Sequence, residues 1–209
     1  MAEFPTTRNV LEPGCDRCPD LASSRESISW GTGPLDAEVV VIGEAPGAGD
    51  PAADRWRGGN WTGMAYTTRH SGRRIRSLVA DIGRLEEAYF TNAVKCFPAT
   101  QTGEGREPTP TERRTCRTHL ETELEAIRPA VVLPTGRHAT ASVLSLDGRT
   151  VDGFVDTVLE PLHLEVHDIT VIPLLHPSYA DVWRSRLGLS RSEYVDRVRS
   201  EVEAALDHQ

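Results

Sequence analysis

The chain has 209 residues, which suits one ordinary domain with a sizeable core and leaves no room for a second large one. No apolar run approaches the roughly 20 residues that cross a bilayer, and residues 1–10 lack a signal-peptide profile, so we expect a cytoplasmic protein without membrane spans. Acidic residues outnumber basic ones by 31 to 23, which excludes nucleic-acid binding through overall charge and leaves only a local basic surface for it.

Four short apolar segments predict buried β-strands. The first, 38–42, is rich in β-branched residues and stops at Gly43, and similar segments follow at 88–94, 130–133 and 169–175. An uninterrupted apolar run of this length is typical of a strand that is covered on both faces. The pattern therefore predicts a central parallel sheet.

Amphipathic stretches between and after these strands predict helices at 73–85, 110–127, 136–146 and 190–206. Capping boxes mark two helix starts, namely Thr109 with Glu112 and Ser190 with Glu193. Strands that alternate with helices indicate an α/β fold. We expect one domain over 1–209, a three-layer α/β/α sandwich with a roughly four-stranded parallel sheet.

Three stretches carry no regular period. Segments 47–71 and 97–109 predict long irregular loops, which are usually functional when they lie inside a compact domain. Segment 150–168 is compatible with a short hairpin.

Polar side chains follow the predicted strands where each strand ends. Glu44 follows the first strand, Asn92 lies in the second and His176 follows the fourth. Ligands bind beyond the carboxyl ends of parallel strands, so this convergence predicts an active site. Taken singly, each residue has a simpler interpretation: the 43–47 turn as a phosphate loop, His176 as a turn residue, and Asn92 as a backbone partner.

Four cysteines indicate a metal site. Cys15 and Cys18 form a tight pair, whereas Cys96 and Cys116 are widely separated. A zinc ribbon usually repeats the tight spacing in both halves, and a split second pair suits a four-thiolate iron–sulfur cluster. Spacing alone leaves zinc and free buried thiols open.

Segments 43–47, 92–96 and 176–178 resemble the motifs of the iron–sulfur uracil-DNA glycosylases of the family-four type. The four cysteines also fall where that family keeps its cluster ligands, and the similarity extends over about 15–179. The resemblance implies an enzyme that flips uracil out of DNA and hydrolyses its N-glycosidic bond, which initiates base excision repair. It also favours a [4Fe–4S] cluster on Cys15, Cys18, Cys96 and Cys116 over zinc.

The resemblance assigns catalytic roles to two residues. Glu44 would position or activate the attacking water, and His176 would donate a hydrogen bond to a uracil oxygen as negative charge develops. Asn92 would bind the Watson–Crick edge of the flipped base. This chemistry is consistent with an oxocarbenium-like sugar and a departing uracil anion.

Other residues would shape the uracil pocket by the same resemblance. Trp61 would stack on the face of the base, and Asp50 would lie near its 5-position and help to exclude thymine. Gly43, Ala45 and Gly47 would form the turn around the base.

The chain departs from the family pattern in segment 64–70, an apparent insertion that contains Arg69 and His70. It is either a solvated basic patch or a surface for DNA phosphates. A wedge residue fills the gap that the extruded base leaves in the stack. The candidates for it are Tyr179, Val182 and Trp183.

Several alternatives to uracil excision stay open. They are a glycosylase for other deaminated or damaged bases, one that bonds covalently to its product, a non-catalytic iron–sulfur or zinc DNA-binding module, and a nucleotide-binding domain. The expected partner is uracil-containing DNA, single- or double-stranded, bound by a monomer, with replication or repair proteins as further candidates.

Overall fold

The structure, a computed structural model, describes residues 3–207. Its sheet contains β1 (Val39–Gly43), β2 (Ala88–Asn92), β3 (Val131–Pro134), β4 (Leu162–Leu164) and β5 (Ile169–Val171), in the order β2-β1-β3-β5-β4. The four predicted strands are confirmed, and all of them run parallel. The additional strand β4 lies antiparallel to β5 at one edge.

The helices precede, connect and follow the strands. They are α1 (Pro19–Ser24), α2 (Gly59–Thr62), α3 (Ser71–Asp81), α4 (Pro110–Ile127), α5 (Arg137–Leu144), α6 (Phe154–Thr157), α7 (Ala180–Arg186) and α8 (Arg191–Asp207). Both predicted capping boxes form, with Thr109 and Glu112 at α4 and with Ser190 and Glu193 at α8. Each box satisfies backbone N–H groups that the first helical turn leaves free.

The sheet separates two apolar layers, so the three-layer sandwich is confirmed. Val39 and Val41 of β1 pack in the same cluster as residues of α3 and α8, whereas Val40 and Ile42 pack with residues of α4 and α5. This alternation follows from the two-residue period of a strand. Burial of β1 on both faces explains its uninterrupted apolar sequence.

The 150–168 segment differs in part from the predicted hairpin. The hairpin is formed by β4 and β5 and therefore extends to Val171, while α6 takes up part of the preceding stretch. Within residues 3–207, no helix is both long and apolar enough to cross a membrane.

Candidate active site

The carboxyl ends of β1, β2 and β5 lie around one cavity of about 210 Å³. Gly43 at the end of β1 pairs with Asn92 at the end of β2, which places Glu44 beside Asn92. His176 lines the same cavity from the loop after β5. The structure thus brings the carboxylate, the amide and the imidazole together, with walls that include Ala45, Gly47, Tyr66, Phe97, Glu107 and Thr135.

Gly43 is required by the close approach of Asn92. A Cβ at residue 43 would lie 2.4 Å from Oδ1 of Asn92 and 3.0 Å from the Tyr66 hydroxyl oxygen. Any side chain at this position would displace the amide or the phenol from the cavity. The glycine therefore serves the site geometry as well as the turn.

Two buried polar atoms in the cavity wall have no hydrogen-bond partner in the described part of the chain. They are Oε1 of Glu44 and Nδ2 of Asn92. Leaving such a group unsatisfied costs about 1–3 kcal/mol, so native proteins rarely bury one without a function. A ligand in the cavity with both a donor and an acceptor can satisfy them.

The Glu44 carboxyl lies in a partly desolvated environment. Burial raises its pKa, and the nearby negative charge of Glu107 acts in the same direction. Positive charge on His138 and Arg113 opposes this shift. The result is a carboxylate more basic than an exposed glutamate, which suits a group that accepts a proton from water.

The His176 imidazole is fixed by its own loop. The backbone N–H of Ser178 donates to Nδ1, so the neutral ring carries its proton on Nε2. Burial, together with the charge of His138, lowers the pKa of His176 and keeps the ring neutral. Gly136 makes room for the ring, because a Cβ there would lie 2.9 Å from Cβ of His176.

Two residues expected in the pocket lie elsewhere. Among residues 3–207, the cavity lining does not include Asp50 or Trp61. Asp50 is exposed, and its Oδ1 accepts a hydrogen bond from the Ala52 N–H, while Trp61 lies on the short helix α2. The aromatic rings that do line the cavity are Tyr66 and Phe97, and the sequence analysis placed neither of them in the pocket.

Tyr66 is held in place by buried contacts. Its backbone has a φ of 53°, which is uncommon for a bulky residue and costs free energy. The buried Arg76 guanidinium donates to the Tyr66 carbonyl, and the Tyr66 hydroxyl lies 2.7 Å from Thr135 Oγ1. Gly72 allows the backbone at Tyr66 to pack closely against α3, since a Cβ at residue 72 would lie 2.5 Å from the carbonyl oxygen of Tyr66.

The four cysteines form a second site behind the cavity. All of them line one small depression, and none is paired in a disulfide. Three sulfurs lie within hydrogen-bonding distance of nitrogen atoms. Arg25 Nη1 donates to Cys96, the Lys95 N–H donates to Cys116, and Nε2 of His119 lies 3.4 Å from Cys15.

Lys95 connects this cysteine site to the cavity. Its ammonium group donates to the Asn92 carbonyl and to Thr91 Oγ1, and it forms a buried ion pair with Glu123. Its backbone N–H meets the sulfur of Cys116. The segment from Asn92 to Cys96 therefore links the amide in the cavity wall directly to the cysteine cluster.

The profile of the Uracil DNA glycosylase superfamily matches residues 30–203, and the chain belongs to this superfamily. A Type-4 uracil-DNA glycosylase of Archaeoglobus fulgidus is 33% identical over 184 residues, covering 86% of this chain and 82% of that protein. A Type-4 enzyme of Thermotoga maritima is 32% identical over 166 residues, covering 79% and 77%. A Type-5 uracil-DNA glycosylase of Pyrobaculum aerophilum is 30% identical over 205 residues, covering 83% and 82%.

Proposed function

We propose that the protein is a DNA glycosylase that accepts a uracil flipped out of DNA and hydrolyses the bond between the base and the sugar. The observation that carries the proposal is the pair of unsatisfied buried atoms, Glu44 Oε1 and Asn92 Nδ2, in the cavity that His176 also lines. Uracil offers both acceptors and a donor on its Watson–Crick edge, so it complements an amide. Superfamily membership and relatives named uracil-DNA glycosylase support this assignment.

In the proposed reaction, the C1′–N1 bond breaks and its electron pair leaves with the base as a uracil anion. Nε2–H of His176 donates to a uracil oxygen that gains negative charge. The Glu44 carboxylate stabilises the cationic sugar and takes a proton from the water that bonds to C1′. One preorganised donor of this kind lowers the barrier by about 2.7–4 kcal/mol.

Asn92 recognises the base in this proposal, and Tyr66 or Phe97 provides the stacking surface in place of Trp61. Asp50 is left outside the proposed pocket because it is exposed and does not line the cavity. Gly43 and its neighbours Ala45 and Gly47 form the turn around the base.

Extrusion of the base requires a side chain that fills the gap in the stack. Tyr179 is 62% exposed and Val182 is 58% exposed, and both follow His176 in the chain. Trp183 is half-buried and packs under the Arg186 guanidinium. We therefore propose Tyr179 or Val182 as the wedge.

The cysteine site fits a [4Fe–4S] cluster by its donor set. Cys15, Cys18, Cys96 and Cys116 supply four thiolates, and N–H groups directed at the sulfurs are a feature that stabilises the negative charge of such clusters. Cluster binding there would tie the N-terminal segment to the end of β2 and to α4. Its proposed contribution is structural, and no step of the hydrolysis passes through it.

The assignment is tested by incubating the protein with single- and double-stranded oligonucleotides that contain uracil, hypoxanthine or thymine, followed by alkaline cleavage of abasic sites. We expect cleavage at uracil and none at thymine. Cleavage confined to hypoxanthine would favour the alternative of a glycosylase for other deaminated bases. Binding without any cleavage would favour a non-catalytic DNA-binding module.

A further inference from the structure

A basic groove of about 490 Å³ lies on the α3 face of the molecule, between α3, α7 and α8. Asp181 is the one carboxylate among the described residues that line it. Because the whole chain has a net charge of −8, this concentration of positive charge is opposite in sign to the rest of the molecule. The basic side chains that line the groove are Arg69, His70, Arg73, Arg74, Arg184 and Arg191.

The arginines of the groove divide into three that pair with carboxylates and two, Arg69 and Arg73, that do not in residues 3–207. Arg74 and Arg184 share Asp181, and Arg191 pairs with Asp81. In contrast, Arg69 and Arg73 are exposed and form no ion pair with any carboxylate in residues 3–207. Arg73 lies 5.7 Å from the centre of the Trp56 ring, which orients its guanidinium without neutralising it.

The groove begins where the uracil cavity ends. Thr68 and Ser71 line the cavity, and the two residues between them in the chain line the groove. Pro177 lines both, and Arg74 Nη1 donates to its carbonyl at 2.9 Å. A DNA strand that runs past this edge brings one negative charge per nucleotide to the groove.

We infer that this groove binds backbone phosphates of the DNA strand beside the extruded nucleotide, mainly through Arg69 and Arg73. The inference rests on the proposed function and adds a binding surface to it. Guanidinium groups pair with phosphate oxygens without reading the base, so the contact is independent of sequence. It supplies locally the positive charge that the acidic chain lacks overall.

The test compares the double variant R69Q/R73Q with the matched control R114Q/R149Q, which removes two exposed arginines from other parts of the surface. Affinity for a short DNA duplex that carries a stable abasic-site analogue is measured by fluorescence anisotropy over a range of salt concentrations. For the groove variant we expect the slope of log affinity against log salt to fall by about 2, or about 1 per arginine. The control should keep most of the wild-type slope.

A second readout is the steady-state excision of uracil from the same duplex with deoxyuridine in place of the analogue. We expect KM to rise in the groove variant with a smaller change in kcat, whereas the control variant should keep the wild-type KM. Equal salt slopes for R69Q/R73Q and the wild type would overturn the inference. Absence of uracil excision by the wild type would instead refute the proposed function, and the salt slope would still report on the groove.

Discussion

Oε1 of Glu107 lies 3.1 Å from Nε2 of His138, and this pair stands beside the Glu44 carboxyl. The two partners act on Glu44 in opposite directions, because His138 lowers its pKa and Glu107 raises it. The sequence assigned neither residue a role, since Glu107 belongs to an irregular loop and His138 to the first turn of α5.

This pair makes the pH dependence of the reaction testable. Hydrolysis requires ionised Glu44, so the rate should rise as the pH passes through the pKa of Glu44, which burial places above its ordinary value. His138→Gln removes a positive neighbour and should shift the rise in rate to higher pH. Glu107→Gln removes a negative neighbour and should shift the rise to lower pH. Single-turnover rates over a range of pH measure the shifts. A shift of the rate increase in the same direction in both variants would contradict the assignment of Glu44.

Gly43→Ala tests the contact between β1 and the Asn92 amide. The added methyl group would lie 2.4 Å from Oδ1 of Asn92, so the amide must leave its position. We expect kcat/KM to fall by about 10²-fold, the scale of losing one preorganised hydrogen bond, with a small change in the free energy of unfolding. A variant with wild-type kinetics would show that Asn92 does not recognise the base from this position.

Tyr66→Ala and Trp61→Ala distinguish two candidate stacking residues in the segment between β1 and α3. Only Tyr66 lines the cavity, so its loss should weaken base binding by about 1–3 kcal/mol, while Trp61→Ala should leave kcat/KM nearly unchanged. Kinetics on a uracil-containing oligonucleotide measure both. A larger loss for Trp61→Ala than for Tyr66→Ala would instead support the prediction that Trp61 stacks on the base.

Cys96→Ala tests the cluster. We expect loss of bound iron and sulfide, loss of the brown colour that a [4Fe–4S] cluster gives, and a lower Tm, because one thiolate and the link to the N-terminal segment disappear. Arg25→Gln is the matched control, since it removes a hydrogen bond to Cys96 Sγ but no ligand, and it should retain iron. A colourless Cys96→Ala protein that is fully stable and active would refute a structural role.

The sequence predicted the sheet and the long helices well because their signals are local. β-branched runs mark β1 and β3, and a capping box starts α4. The convergence of Glu44, Asn92 and His176 was also predictable, since parallel strands end at one edge.

The choice between Trp61 and Tyr66 was not predictable from local pattern. Both rings belong to one irregular loop, and the position of Tyr66 depends on contacts with Gly72, Arg76 and the distant Thr135. The Glu107–His138 pair and the His119 contact with Cys15 are likewise long-range. Such contacts leave no periodic signal in the sequence.

The most direct test of the central claim is single-turnover excision of uracil by Glu44→Gln and His176→Asn, with Asp50→Asn as the control outside the cavity. We expect rate losses of about 10²–10³-fold for the first two and a nearly unchanged rate for the control. Because burial raises the pKa of Glu44, its ionised form destabilises the fold above the unfolded-state pKa, so Glu44→Gln should also increase the free energy of unfolding at neutral pH. Wild-type excision rates in both cavity variants would contradict the assignment of this cavity as the active site.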